Sequence, residues 1–498
     1  MLHQYNQLKM IVKHPFFCLI FLLGSLVSDP TVFAQTTPKA DCDCLEAFTF
    51  ISNYVEKNQA SFRHVVTADQ RPAYETFKRG IRRQIQKEGK RRCSLFLHQY
   101  MAYFKDHHSQ VHAASTLDVS DPDQLKAFLA SAAFRNTETV AVDSAKAYNY
   151  VKHSNDPVEG IYDLYGSYQV LIQKNKNAYR DYYGVLLQTK SPTWKPGQVK
   201  LELKRMAADT YQYQGYLQDH SLSLELLTID QPVTRIGEWT KLYPVATTAS
   251  KHTQDSIPTA LTTFKLLDDS TAYLSISTFS REYLSTLDST FQALTPALQR
   301  TPYLLIDVRD NGGGSSLAYQ RLLPLLYTHP STDDSFTEYL ATSGIIKQYE
   351  NLLKNSPNPA LTSYRKDLIQ QMKQVPEGTF IRLRQDQPKA DSTSKIRLEK
   401  PRKVLILYNR NCGSSCETFV LAGMRSKKVV TVGENSGGYI GYGNIMTIPV
   451  PNSAYVLESS TTRNPALVQY EYTGIPPMRK VPAQTSWIEF ARQELGTP

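Results

Sequence analysis

The sequence predicts an α/β core, preceded by a helical region and by an inserted antiparallel β module. Three patterns carry that prediction. Two apolar runs, Tyr303-Leu304-Leu305-Ile306 and Val404-Leu405-Ile406-Leu407-Tyr408, each lead through a turn into an apolar helical segment, as buried strands of an α/β unit do. Val199, Leu201 and Leu203 alternate with Lys200, Glu202 and Lys204, the period of a half-buried strand. Leu45, Phe48, Ile51 and Val55, then Tyr74, Phe77, Ile81 and Ile85, recur near helical spacing.

The chain has 498 residues, 41% hydrophobic and 20% charged, an ordinary globular composition with room for two or three domains. Residues 1–34 read as a signal peptide. Lys9, Lys13 and His14 precede an apolar run over 16–27, and Val32-Phe33-Ala34 offers a cleavage site. That run is too short to span a bilayer stably, and no later stretch is long and apolar enough. The mature protein is therefore expected to be exported, periplasmic or extracellular, and soluble, without stable membrane insertion. The net charge of +10 comes from scattered basic residues, densest at Lys78, Arg79, Arg82, Arg83, Lys87 and Lys90 to Arg92. On a helix such a patch is a solvated face, and without a nucleic-acid motif no nucleic-acid partner is expected.

Residues 35–155 form the expected helical region. Near its middle, Asp106-His107-His108-Ser109-Gln110-Val111-His112 gathers three of the chain's 11 histidines. A metal site would need further carboxylate or histidine ligands, so no metal is expected; a histidine serving as general base to a distant nucleophile is the sharper reading. Residues 156–250 form the β module, whose tyrosines (31 in the whole chain) suit strand packing. Residues 251–498 form the α/β core, with a polar helical cap inserted around 334–375. A helix from Tyr283 is expected to stop before Pro296.

Of the cysteines left after the leader, one pair among Cys42, Cys44 and Cys93 is expected to bond in an oxidising compartment. Cys412 and Cys416 can pair only if their turn brings the Cα atoms into range, and small buried thiols are the expectation.

The chemistry centres on Asn411-Cys412-Gly413-Ser414-Ser415-Cys416-Glu417. A hydroxyl on a tight strand-to-helix turn sits at the exposed end of a sheet, where the first helical N–H groups are unpaired. That suits a nucleophile with an oxyanion site; an ordinary N-cap serine is the bland alternative. The second turn, Asp310-Asn311-Gly312-Gly313-Gly314, lets the backbone approach a ligand closely. It lacks the Gly-Lys-Ser/Thr of a phosphate loop and any dinucleotide glycine spacing.

Together these blocks resemble the tail-specific (C-terminal processing) serine protease family. Asp307-Val308-Arg309-Asp310-Asn311-Gly312-Gly313-Gly314 is similar to its Asp-Leu/Val-Arg-x-Asn-Gly-Gly-Gly signature, and residues 411–417 to its Ser-x-x-Glu turn. Val432-Gly433-Glu434 with Gly437-Gly438, and Gly474-Ile475-Pro476-Pro477 with Val481-Pro482, follow in the family's order. Asp106-His107-His108-Ser109 resembles the family's Asp-Gly-His-Thr segment. One branch of the family uses a Ser–Lys dyad, but here its lysine register carries Tyr439. The resemblance is therefore to the tricorn-core-like Ser-His-Glu branch.

That resemblance implies a crotonase-like ββα core and a peptide or protein substrate. Ser414 would be the nucleophile, His108 the base and Glu471 its orienting carboxylate, with no cofactor. The oxyanion would lie between the N–H of Ser415 and that of Gly312 or Gly313. The sequence departs from the family at Pro477-Met478, lacks a PDZ-like module and offers no equivalent of the tetrad serine. The function expected is an exported serine endopeptidase working through an acyl-enzyme. A non-catalytic peptide- or ligand-binding protein on the same scaffold, and an esterase or amidase with the same triad, are the alternatives. Cleavage specificity and oligomeric state leave no mark in these patterns.

Overall fold

The computed structural model describes residues 43–496 except 114–116, 207, 230, 245–256, 259, 328–335, 355–358, 384–398 and 483–484. The expected signal peptide and Cys42 lie outside the described residues. No helix among the described residues is long and apolar enough to cross a membrane.

Three sheets organise the chain. The central one has six strands in the order Thr262–Asp268, Thr271–Ile276, Tyr303–Asp307, Lys403–Tyr408, Val429–Gly433 and Arg479–Lys480. Its first pair is antiparallel and every other pair is parallel. The apolar runs are continuous because both faces are covered. Leu304, Ile306, Val404 and Ile406 face the helices Leu284–Leu298 and Ser415–Met424. Leu305, Leu405 and Leu407 face the helix Trp487–Leu495 on the other side. Strands Tyr303–Asp307 and Lys403–Tyr408 run side by side, so the glycine turn and the serine turn leave the same edge of the sheet. Carboxyl edges of this kind are where open α/β sheets hold ligands. The helix expected to stop before Pro296 runs on to Leu298, with Pro296 in its last turn; burial of Leu298 offsets the missing N–H.

The β module is an eight-stranded antiparallel sheet between Gly160–Leu164 and Trp239–Tyr243, packed around Tyr162, Ile172, Leu201 and Trp239. The strand Val199–Arg205 departs from its expected half-exposure, since Lys200 and Glu202 are both buried. The Lys200 ammonium lies over Trp194, 4.0 Å from the ring centroid, and donates to the Tyr216 carbonyl. Glu202 accepts from the Tyr216 hydroxyl at 2.8 Å and faces Arg180 at 3.5 Å and Arg92 at 3.7 Å. Alternation marked the two faces correctly, but the long helix Arg71–Ala102 brings Arg92 onto the polar one.

The third sheet joins distant parts of the chain. Gln110–Ala113 pairs with Tyr455–Arg463, which also pairs with Tyr442–Pro449 and Glu338–Ala341; Thr379–Arg382 completes the edge. Its core includes the helices Cys44–Asn58 and Arg71–Ala102, and Tyr349 and Leu368 from the insert. The insert read as a helical cap thus contributes the strand Glu338–Ala341, with Thr379–Arg382 just beyond it, and packs with the N-terminal helices. A disulfide joins Cys44 to Cys93 and ties the first helix to the long one. Closing a loop of 49 residues' separation is worth roughly 4 kcal/mol in the chain-entropy description.

Candidate active site

The serine turn is held by the glycine turn beside it. After Tyr408 the strand ends at Asn409, whose Oδ1 accepts from the N–H of Asp310 at 3.0 Å and whose Nδ2 donates to Asp310 Oδ1 at 2.7 Å. The Gly413 N–H donates to the Asn311 carbonyl at 3.1 Å, and Ser415 Oγ donates to the Gly314 carbonyl at 2.8 Å. Gly313 fits only as glycine: with φ at +94°, an added Cβ would stand 2.4 Å from the Gly413 carbonyl and 2.8 Å from Ser415 N. The Asp307 and Arg309 of the same block are buried and paired with each other at 2.6 Å, so their part is structural.

Ser414 caps the helix Ser415–Met424 with φ 54° and ψ −116°, a conformation that costs a non-glycine residue of order 1–3 kcal/mol unless the surroundings impose it. Glu417 imposes it. Its buried carboxylate accepts from the N–H of Ser414 at 2.9 Å, Gly438 at 2.9 Å and Tyr439 at 2.8 Å, and from Ser436 Oγ at 2.6 Å. Burial pushes its pKa up, while these donors pull it back. Cys412 and Cys416, expected as thiols, form a disulfide, because the turn brings their Cα atoms to 5.4 Å.

Of the expected oxyanion donors, Gly313 is excluded: its N–H donates to Asn311 Oδ1 at 2.9 Å. The N–H groups of Gly312 and Ser415 have no acceptor among the described residues. Spacing alone could not separate the two glycines; the Asn311 side chain does.

The histidine side is assembled from the other half of the chain. Beyond the long helix, Lys105 takes φ 48° and the chain turns into Asp106-His107-His108-Ser109 before the strand Gln110–Ala113. Asp106 Oδ1 accepts from the His108 N–H at 3.0 Å, and Oδ2 from Ser109 Oγ at 2.7 Å and Ser460 Oγ at 2.5 Å. Glu471 Oε1 accepts from the His107 N–H at 2.9 Å, and Oε2 from the N–H groups of Ile440 at 3.1 Å and Gly441 at 2.6 Å. Asp106, His108 and Glu471 each bring one ligand-type atom within 4.8 Å of the others, and buried His108 Nδ1 has no partner among the described residues.

Burial pushes the His108 pKa down, against the raising effect of Asp106, which favours the neutral imidazole. Burial and the Asp106 charge push Glu471 up to about 8. His107 is a different residue in kind. Its ring stacks on Tyr472 at 3.6 Å, its Nδ1 donates to the Gly438 carbonyl at 3.0 Å, and burial brings its pKa down to about 4. Tyr439 links the two sides: its ring lies edge-on to His108 at 5.9 Å, and an added Gly413 Cβ would sit 3.3 Å from it. Among the described residues no hydrogen bond joins Ser414 to His108, or Glu471 to the His108 ring. Asp106 and Tyr439 were not foreseen as site residues; the pairing of Asp106 with His108 was visible only as spacing.

The three-residue cluster has metal-type atoms, yet its carboxylate oxygens already take six N–H or O–H donors, the surroundings of an anion near an imidazole. Lys428, a buried lysine just beyond the helix that Ser414 caps, lies elsewhere. Val429 pairs with Val404 and Gly433 with Tyr408, which puts Lys428 a strand's length, ~15 Å, from the serine edge. Its ammonium donates to the Pro401 carbonyl at 3.1 Å, and burial lowers its pKa to about 8.

A serine on a strained strand-to-helix turn, beside N–H groups that have no acceptor among the described residues, has the geometry that an acyl-transfer site would need. Residues 270–481 match the family model described as Peptidase family S41, and that match supports a serine peptidase, a hydrolase. No curated protein matches the chain. Among solved structures, mature CPAF is similar at 10% identity and a TM-score of 0.43, over 88% of this chain and 92% of that one. The photosystem II D1 C-terminal processing protease is similar at 12% identity and a TM-score of 0.34, over 89% and 93%. The tricorn protease is similar at 11% identity and a TM-score of 0.31, over 87% of this chain and 37% of that one.

Proposed function

We propose that the chain is an exported serine endopeptidase that hydrolyses peptide bonds through an acyl-enzyme on Ser414. His108 takes the Ser414 proton as Oγ attacks the carbonyl and returns it to the leaving amine. Glu471, with Asp106 beside it, stabilises the imidazolium that forms between those steps. The N–H groups of Ser415 and Gly312 receive the oxyanion. The observation that carries this reading is the strained backbone of Ser414, held by Glu417 and lying beside an unpaired Ser415 N–H. The neutral, buried His108 across the Tyr439 ring supports the choice of base over a lysine. Export is supported by the leader pattern in residues 1–34 and by the two disulfides.

The test is labelling of the purified mature protein by a fluorophosphonate, beside Ser414→Ala and His108→Ala. Labelling that requires both residues is the expected result. A folded wild type that stays unlabelled overturns the peptidase mechanism in favour of a binding protein on the same scaffold.

A further inference from the structure

We propose that the Cys412–Cys416 disulfide is the positioning device of Ser414, and that reducing it silences the serine while leaving the fold in place. The proposal rests on the reading of Ser414 as nucleophile. The bond closes a ring around Gly413, Ser414 and Ser415, the residues that carry the hydroxyl and the free N–H. Ser414 sits in that ring with φ 54°, from which an L-residue relaxes to negative φ whenever its surroundings allow.

Both ends of the ring are anchored. The Cys412 N–H donates to the Asn409 carbonyl at 2.9 Å, and the Cys412 carbonyl accepts from the Gly437 N–H at 2.8 Å. Cys416 lies in the first turn of the helix, with its sulfur 3.7 Å from the Val308 carbonyl. The disulfide is thus a covalent tie from the loop that presents Ser414 to the helix that orients it. Without it, Ser414 is held by the hydrogen bond that its N–H donates to Glu417 and through its two neighbours. Flipping φ would carry Oγ and the Ser415 N–H away from each other and from the glycine turn.

The chemistry balances as thiol–disulfide exchange. A dithiol's thiolate attacks one sulfur, the Cys412–Cys416 bond breaks, and a mixed disulfide forms. The second thiol then displaces the protein sulfur, leaving a cyclic disulfide and two protein thiols, with two electrons and two protons transferred. Both cysteines are wholly buried, so exchange waits on opening of the turn. Cys44–Cys93 ties two helices outside the site, and Cys93 is only half-buried. Its reduction comes first and serves as an internal comparison.

The experiment measures the fluorophosphonate labelling rate of the mature protein in three forms, with circular dichroism and thermal melting alongside. The forms are oxidised wild type, Cys412→Ala/Cys416→Ala, and wild type titrated with dithiothreitol, its thiols counted at each cysteine by alkylation and mass spectrometry. The expected result is labelling at least tenfold slower in the double variant, with unchanged circular dichroism. In the titration, the loss should track thiols at Cys412 and Cys416, not those at Cys44 and Cys93, and should reverse on reoxidation. Should the double variant fail to fold, the titration alone decides. A folded double variant labelling at the wild-type rate, or a loss that tracks Cys44 and Cys93, overturns the proposal. Oxidised wild type that never labels is a different failure: it removes the nucleophile reading, and this proposal falls with it.

Discussion

The two halves of the site are built on opposite plans. On the serine side, residues 409–417 and 310–314 sit at the ends of adjacent strands, stitched to each other by short hydrogen bonds, with a disulfide inside the serine turn. On the histidine side, the partners come from opposite ends of the sequence; the His107 N–H and the Glu471 carboxylate that accepts from it are 364 positions apart. There, a buried ring nitrogen has no partner among the described residues, and two carboxylates crowd together. The difference teaches what each group needs. A nucleophile held in a costly backbone conformation must be over-determined locally. A base must change charge in every turnover, so it needs acceptors within reach and no bond that fixes its proton.

If that contrast is right, the two adjacent histidines must part company most widely. His108→Ala should lower kcat/KM by about 10³–10⁴-fold, in the range of a lost triad member. His107→Phe keeps the stacking on Tyr472 and gives up one hydrogen bond, about 1 kcal/mol or tenfold at most. Reversed effects in a peptide or ester assay would make His107 the base and its stacked ring a resting state.

Glu471 offers a pH test. With its pKa raised to about 8, the carboxylate is protonated below that pH and ionised above it, so an imidazolium-stabilising role is lost as pH falls through 8. The kcat/KM profile should rise with an apparent pKa near 8, and Glu471→Gln should flatten that limb with roughly a hundredfold loss. The stability sign is opposite. A carboxyl whose folded pKa lies above its unfolded value near 4.5 takes up protons on folding. Urea titrations should therefore find stability declining from pH 4.5 to 8, and Glu471→Gln should remove that decline.

The serine side is tested through stability as well as rate. Glu417→Gln places an amide NH₂ among four donors and should cost about 1–3 kcal/mol in urea unfolding, with slower labelling of Ser414. A variant with wild-type labelling would mean that the disulfide alone holds the turn.

Much of the serine side was legible because its signals are contiguous. Apolar runs covered on both faces, then Gly312-Gly313-Gly314 or Gly413-Ser414, specify strand, turn and helix within a dozen residues each. What escaped depended on neighbours that the local sequence does not contain. Period two in 199–204 marks two faces, but not that Arg92 covers the polar one. The spacing of Cys412 and Cys416 is compatible with thiols or a bond, and the Cα separation decides. Asp106 reads as an unremarkable acid until Ser460 and Glu471 arrive beside it.

The pairing of Gln110–Ala113 with Tyr455–Arg463 bears on the order of synthesis. Synthesis delivers His107 364 positions before Glu471, and the strand that receives the histidine's own segment also follows far behind it. Truncation products ending before residue 455 would lack the strand and the glutamate alike, so on the proposed mechanism they should not cleave peptides.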